Sequence, residues 1–255
     1  RIQLESKLRH AIEQHEIQVF FQPIIDASSG QVTYFEALVR WFDLEKGLIT
    51  PAAFIPLAEE TSLILPLGEY VLRRSCQELM KWHASGFRNI AVAVNLSPKQ
   101  FQQPNIHERI QQILVETGAP GNRLSLEITE SQVMENPSQA IAILNRLREL
   151  QVKVSIDDFG TGYSSLAYLK RFPISTLKID RTFIEGLPEE HDDIEITRAI
   201  IALAQSLKLE IIAEGVENES QAIFLKDAGC LLLQGFLFSK PMPAQEVISW
   251  LKQYQ

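Results

Sequence analysis

Apolar runs along this chain end, one after another, on a carboxylate, an amide or an amine. Val32-Thr33-Tyr34-Phe35 runs into Glu36, Ile90-Ala91-Val92-Ala93-Val94 into Asn95, and Leu124-Ser125-Leu126 into Glu127. Val152 to Ile156 leads into Asp157 and Asp158, Leu177 precedes Lys178, Leu209 to Ala213 reaches Glu214, and Leu231-Leu232-Leu233 reaches Gln234. Short apolar runs of this kind predict buried strands. Reactive side chains gathered at their carboxyl ends are the pattern of a barrel of parallel strands, which opens all those ends onto one face. Helical spacing fills the intervals: Tyr70 to Ser85 before Gly86, Ile106 to Thr117 before Gly118, and Asn136-Pro137 through Leu150. Asp192 to Leu207, Glu219 to Ala228 and Ala244 to Lys252 continue the alternation. From Asn95 the strand ends recur after 32, 30, 21, 36 and 20 residues, connections long enough for parallel crossovers. One interval breaks the rhythm. Only Asp26-Ala27-Ser28-Ser29-Gly30 separates the run at Val19-Phe20-Phe21-Gln22 from that at Val32, so the first two strands should be antiparallel and the barrel a modified one.

Composition narrows the function. With 255 residues and 45% hydrophobic content, the chain suits one barrel domain, residues 1–255, since such barrels hold about 250 residues. No apolar run approaches the roughly 20 residues of a membrane span, so no membrane contact is expected of this domain. Cys76 and Cys230 are too few for a disulfide framework and read as packed thiols in a reducing cytoplasm. A formal charge of −8 argues against a DNA or RNA polymer as partner. The chain begins at Arg1 inside a helical pattern (Leu4, Leu8, Ile12), which predicts a domain excised from a longer protein. The carboxylates at the strand ends would repel one another severely in a shared cleft unless cations neutralised them. A multinuclear site for hard divalent ions is the economical reading.

Glu36-Ala37-Leu38 alone occurs by chance in many helices. An ordered set along nearly the whole chain does not: Phe21-Gln22-Pro23-Ile24, Glu36 to Trp41, Asn95-Leu96-Ser97, Glu127-Ile128-Thr129-Glu130, and Asp157 to Leu166 (DDFGTGYSSL). It continues with Leu177-Lys178-Ile179-Asp180, Glu214-Gly215-Val216-Glu217, Gln234-Gly235 and Ser239-Lys240-Pro241. From about Leu8 onward the chain closely resembles the EAL domain family of bacterial cyclic di-GMP phosphodiesterases. The resemblance implies an α/β fold, a modified TIM (β/α)8 barrel with an antiparallel first strand. It also implies hydrolysis of cyclic di-GMP to linear 5′-pGpG with two Mg²⁺ or Mn²⁺ ions, Ca²⁺ being inhibitory. By motif position, Glu36, Asn95, Glu127 and Asp157 would hold one metal, and Asp157, Asp158 and Glu214 the second, with Glu217 nearby. Lys178 would contact the hydrolytic water, where an ammonium orients and stabilises charge rather than simply abstracting a proton; Glu214 is the other candidate for handling the proton, and the sequence does not divide the general-base work among Lys178, Glu214 and Glu217. Glu130 would anchor the DDFGTGYSSL loop, in which Ser164 or Ser165 caps a short helix. Gln22, Leu38, Arg40, Asp180, Gln234 and Pro241 are the implied substrate contacts, each with a bland alternative as a polar or apolar rim residue. A homodimer, and sensory or GGDEF-type domains attached in a full-length protein that could be membrane-tethered, are also implied.

Two rival readings remain. A catalytically silent cyclic di-GMP receptor would be expected to have a broken metal set, and this chain's set is complete. An unrelated metal-dependent barrel hydrolase would require the ordered motifs to be coincidence. The histidines (His10, His15, His83, His107, His191) are scattered and read as solvated or helix-face residues; Phe20-Phe21 and Trp41-Phe42 read as core, and Glu189 to Asp193 as a solvated loop leading into a helix, with a dimer interface, which the resemblance implies on this side of the barrel, as the alternative.

Overall fold

The computed structural model describes residues 2–14, 16–43, 45–162 and 166–254. His15 and the expected cap at Ser164 or Ser165 lie outside the described residues. Ten strands follow in order: β1 (Ile17–Asp26), β2 (Val32–Asp43), β3 (Gly47–Ile49), β4 (Ala91–Asn95), β5 (Leu124–Thr129), β6 (Lys153–Phe159), β7 (Thr176–Ile179), β8 (Glu210–Ala213), β9 (Leu232–Gln234) and β10 (Met242–Pro243). Eight of them close a ring, β1-β2-β4-β5-β6-β7-β8-β9 and back to β1, while β3 and β10 extend from β2 and β1. All neighbours from β2 round to β9 are parallel, and β1 is antiparallel to both β2 and β9. The short turn therefore has the consequence its length demands. A hairpin can join β1 to β2, but every later pair needs a crossover through a helix.

Strand alternation sorts side chains into two cores. Phe35, Val92, Leu126, Ile211 and Leu233 face outward into the large core beneath the helices. Their alternates Ile24, Tyr34, Ala91 and Ile212, with Leu232, form a small separate cluster inside the ring. At the amino-terminal mouth Lys153 Nζ donates to Tyr34 Oη at 2.8 Å, and Tyr34 Oη donates to Glu210 Oε2 at 3.1 Å, closing the floor with a polar cluster. Moving up the same interior rows, side chains turn polar: Gln22, Glu36, Glu127, Lys178 and Gln234 are all buried.

The helices Ile106–Thr117, Pro137–Glu149, His191–Ser206 and Glu219–Asp227 fall where periodicity predicts them. The helix expected from Tyr70 instead spans Ile64–Ala84. Pro66 and Gly68 mask its first turns in the sequence, but proline is tolerated in a first turn. At Gly68 a Cβ would lie 2.1 Å from the Gln100 side-chain amide, which would have to shift to admit it. Pro51–Glu60, Pro98–Phe101, Glu130–Glu135 and Leu166–Leu169 are further helices that periodicity misses, three of them being too short to show it. Among the described residues, no helix is long and apolar enough to cross a membrane.

Candidate active site

At the carboxyl-end mouth the side chains converge on Lys178, which is fully buried. Its Nζ lies 2.9 Å from Glu127 Oε2, 3.5 Å from Asp157 Oδ1 and 3.6 Å from Glu36 Oε2, and it also contacts Glu214 Oε1. The Glu127 contact is ionic without hydrogen-bond alignment, and neither Glu127 oxygen has a hydrogen-bond partner despite complete burial. Glu36 is better satisfied: Asn95 Nδ2 donates to its Oε1 at 2.8 Å and Gln234 Nε2 to its Oε2 at 2.6 Å. Gln234 Nε2 also donates to Gln22 Oε1 at 3.1 Å, and Gln22 Nε2 to the Ser239 carbonyl at 3.1 Å. The structure thus brings together Gln22, Glu36, Asn95, Glu127, Asp157, Lys178, Glu214 and Gln234.

Four carboxylates around one ammonium is an anion-rich arrangement, and the ionisation equilibria reflect it. Burial opposes a charged Glu36, but Lys178 together with the Gln234 and Asn95 amides holds its pKa below the ordinary carboxylate range. Burial drives Glu127 well above that range, and the neighbouring charge of Glu36 drives it further. Burial likewise raises Glu214 to about 8, even against the pull of Lys178. Lys178 would lose its proton to burial alone; the charges of Asp157, Glu127, Glu214 and Glu36 reverse this and hold its pKa well above normal.

Asp158 stands beside the cluster through a backbone irregularity. The register of β6 on β7 advances from Ile156↔Leu177 to Phe159↔Ile179, three steps against two. The extra residue is a bulge, a device that re-aims side chains. Asp158 adopts φ 52°, a left-handed conformation costly for a non-glycine residue. The bulge returns Phe159 to the outer core. Asp158 has its pKa raised to about 6 by burial and by the charge of Asp157.

The remaining candidates occupy the rim. Glu130 is buried and its Oε2 accepts the Gly160 N–H at 3.3 Å. Asp180 Oδ1 caps the following turn by accepting the Thr182 N–H at 2.9 Å. Glu217, half exposed, lies 4.0 Å from Arg181 and outside the Lys178 cluster. Arg40 is half-buried over the Phe20 ring, and burial lowers its pKa. Two cavities flank the cluster. One of about 420 Å³ is lined by Leu38, Arg40, Ile55, Ile64, Asn95 and Pro98; one of about 260 Å³ by Gln22, Leu38, Arg181, Glu214, Glu217 and Phe236. Pro241 lines a different depression, with Lys240 and Trp250. Arg181 was not singled out by the sequence pattern; it follows the motif residue Asp180, which is the only signal it carries. Gly235 has no room for a side chain, because a Cβ would lie 2.0 Å from the Val216 carbonyl.

Hard oxygen donors fit hard divalent cations that retain waters, and the two buried oxygens of Glu127, which accept no hydrogen bond, are the kind of group a cation would satisfy. Among the described residues, no three His, Cys, Asp or Glu side chains already enclose an ion-sized gap. In this conformation they are gathered round an ammonium instead.

A barrel with this motif order and this mouth is that of the EAL domain family, to which the chain belongs: the EAL domain family matches residues 5–241. It is 43% identical over its whole length to the cyclic di-GMP phosphodiesterase NbdA of Pseudomonas aeruginosa, covering 32% of that protein. It is 44% identical, over 98% of its length and 36% of the relative's, to the bifunctional diguanylate cyclase/cyclic di-GMP phosphodiesterase MucR of the same organism. The chain thus spans about a third of these curated relatives. The solved PaMucR phosphodiesterase in complex with c-di-GMP superposes with a TM-score of 0.93 at 45% identity, covering 96% of this chain and 99% of that one.

Proposed function

We propose that this chain is the catalytic domain of a metal-dependent phosphodiesterase that hydrolyses cyclic di-GMP to linear 5′-pGpG. The observation that carries the reading is the buried Lys178 within an intact ring of Glu36, Glu127, Asp157 and Glu214 at the mouth of the barrel. The relatives named for this activity support it. Glu36, Asn95, Glu127 and Asp157 would hold one Mg²⁺ or Mn²⁺, and Asp157, Asp158 and Glu214 a second. When bound, such ions polarise a phosphoryl oxygen and lower the pKa of water.

The chain's own groups do the rest. Water adds to phosphorus, the bond from phosphorus to the 3′ oxygen breaks, and that oxygen leaves with a proton, giving a 5′-phosphate. Lys178 orients the attacking water and, as an ammonium, offsets negative charge as it develops, an interaction strongest in the transition state. Glu214, in contact with Lys178, would take the water's proton, with Glu217 behind it at the rim. Arg40 faces the larger, mainly apolar cavity, whose walls suit a planar base on one side and a phosphate oxygen on the guanidinium side. Glu130 holds the loop that follows Asp157 and Asp158 through the Gly160 N–H.

The multidomain relatives support attached sensory or cyclase domains in the full-length protein. Pairing of two copies belongs to the same proposal, with Ile196 and Ile223 as large exposed apolar side chains on neighbouring helices. The test is incubation of the purified chain with cyclic di-GMP in Mg²⁺, Mn²⁺ or Ca²⁺, with the product identified by mass. Linear 5′-pGpG is expected with Mg²⁺ or Mn²⁺, and little with Ca²⁺, whose larger and looser shell misplaces water and phosphate. Tight binding without turnover in either active metal would mark a receptor instead.

A further inference from the structure

Four helices open with one short pattern, a capping residue followed three places later by glutamine: Ser97 and Gln100, Thr129 and Gln132, Asn136 and Gln139, Asn218 and Gln221. In two of them the intervening residues are also identical, Thr129-Glu130-Ser131-Gln132 and Asn218-Glu219-Ser220-Gln221. A capping box needs only an acceptor that reaches back to the cap's N–H, and glutamate serves as well as glutamine. At Asn136 the pattern stays within its own turn on the exposed surface, Asn136 Nδ2 donating to Gln139 Oε1 at 3.2 Å.

At the mouth of the barrel the amide uses both ends. Gln132 Oε1 accepts the Thr129 N–H at 3.2 Å, while its Nε2 donates to the Leu96 carbonyl at 3.1 Å. Leu96 follows Asn95, and Thr129 stands two residues past Glu127, so one side chain spans the loops after β4 and β5. Gln221 is buried; its Oε1 accepts the Glu217 N–H at 2.8 Å and the Asn218 N–H at 3.3 Å. Its Nε2 donates to the Ile184 carbonyl at 3.0 Å, across the gap to the turn that begins at Asp180. The loops after β7 and β8, which follow Lys178 and Glu214, are thereby joined.

We infer that Gln132 and Gln221 are positioning residues of the site, each clamping two adjacent loops so that facing members of the Lys178 cluster keep their separation. The inference rests on the phosphodiesterase reading above and adds to it the parts that set the geometry. Glutamate separates the two duties, because it keeps the capping acceptor but turns a second oxygen, not an N–H, toward the neighbouring carbonyl.

Gln132→Glu, Gln221→Glu and, as control, Gln139→Glu are compared with the unaltered chain by Tm, by kcat and KM on cyclic di-GMP with Mn²⁺, and by Mn²⁺ affinity from electron paramagnetic resonance titration. A displacement of about 1 Å at a reacting centre costs roughly a hundredfold in rate. For Gln132→Glu and Gln221→Glu we expect kcat to fall by roughly ten- to a hundredfold, KM to change by less than about threefold and Mn²⁺ binding to weaken several-fold. Gln139→Glu should match the unaltered chain. If Gln221→Glu loses its fold, the uncharged Gln221→Met, beside Gln139→Met, takes its place with the same expectation. Unchanged kcat and Mn²⁺ affinity in the mouth variants, or equal losses in the Gln139 control, would overturn the clamp. An unaltered chain that does not turn over cyclic di-GMP would sink the phosphodiesterase reading instead, and the Mn²⁺ titrations would still decide the clamp.

Discussion

Lys178 holds together charges that would otherwise drive one another apart, so its removal should have two separable effects. Truncation of one partner in a buried ionic cluster destabilises by about 3–5 kcal/mol, because the remaining charges lose their compensation. Lys178→Ala should accordingly lower Tm in metal-free buffer, and added Mn²⁺ should recover much of the loss. On the role proposed for Lys178, the recovered protein should still bind cyclic di-GMP while kcat falls by about 10²–10³, since a group acting on the attacking water would matter mainly in the transition state. A variant with normal kcat and only a raised KM would assign Lys178 to ground-state binding. Residues such as Lys178, Glu36 and Glu127 could be read in advance, because a charged group ending an apolar run has few structural reasons to be there. Gln132 and Gln221 could not be read as site residues. Their pattern is that of an ordinary helix start, and only the partner carbonyls of Leu96 and Ile184, supplied by distant chain, distinguish them from Gln139.

The segment from Asp157 to Gly162 shows how a local irregularity serves the site. A strand in strict alternation would present Asp157 and Phe159 to the interior; the bulge puts Asp158 beside Asp157 and sends Phe159 outward. Glu130 holds this segment at Gly160, and its carboxylate packs 3.5 Å from where a Cβ on Gly162 would sit. Glu130→Ala should therefore keep the circular dichroism of the parent and a Tm within a few degrees, yet lose most activity, regaining part of it at high Mg²⁺ or Mn²⁺. Full activity at low metal would show the anchor to be dispensable, and a collapsed Tm would show Glu130 to be needed for the fold itself. Strands were legible here as short apolar runs ending on a polar side chain, and long helices because a period of 3.6 repeats often enough to be counted. The bulge was not, since a single inserted residue leaves no period, and neither were the short helices Pro98–Phe101 and Glu130–Glu135.

The barrel was foreseen from apolar runs that end on reactive side chains, and its antiparallel first strand from one short turn, because five residues between two strands leave only that option. What the turn could not reveal is how far the closure reaches. β1 pairs with β2 beside it in sequence but also with β9 at the other end of the barrel, and the bond from Gln234 to Gln22 joins residues 212 apart. The same Gln234 amide reaches Glu36 across 198 residues. Contacts of such separation form slowly, because the chain must surrender loop entropy before they reward it. During refolding from denaturant, helical signal should return first and catalytic competence last, when β9 docks against β1 and completes the polar row around Glu36. Stopped-flow circular dichroism and aliquots assayed for turnover of cyclic di-GMP would time the two events. Simultaneous recovery would mean that the seam closes with the rest of the barrel. A lag would mean that the seam closes last; because Gln234 and β9 come late in the barrel, a partial translation product would, on the phosphodiesterase reading, leave cyclic di-GMP untouched.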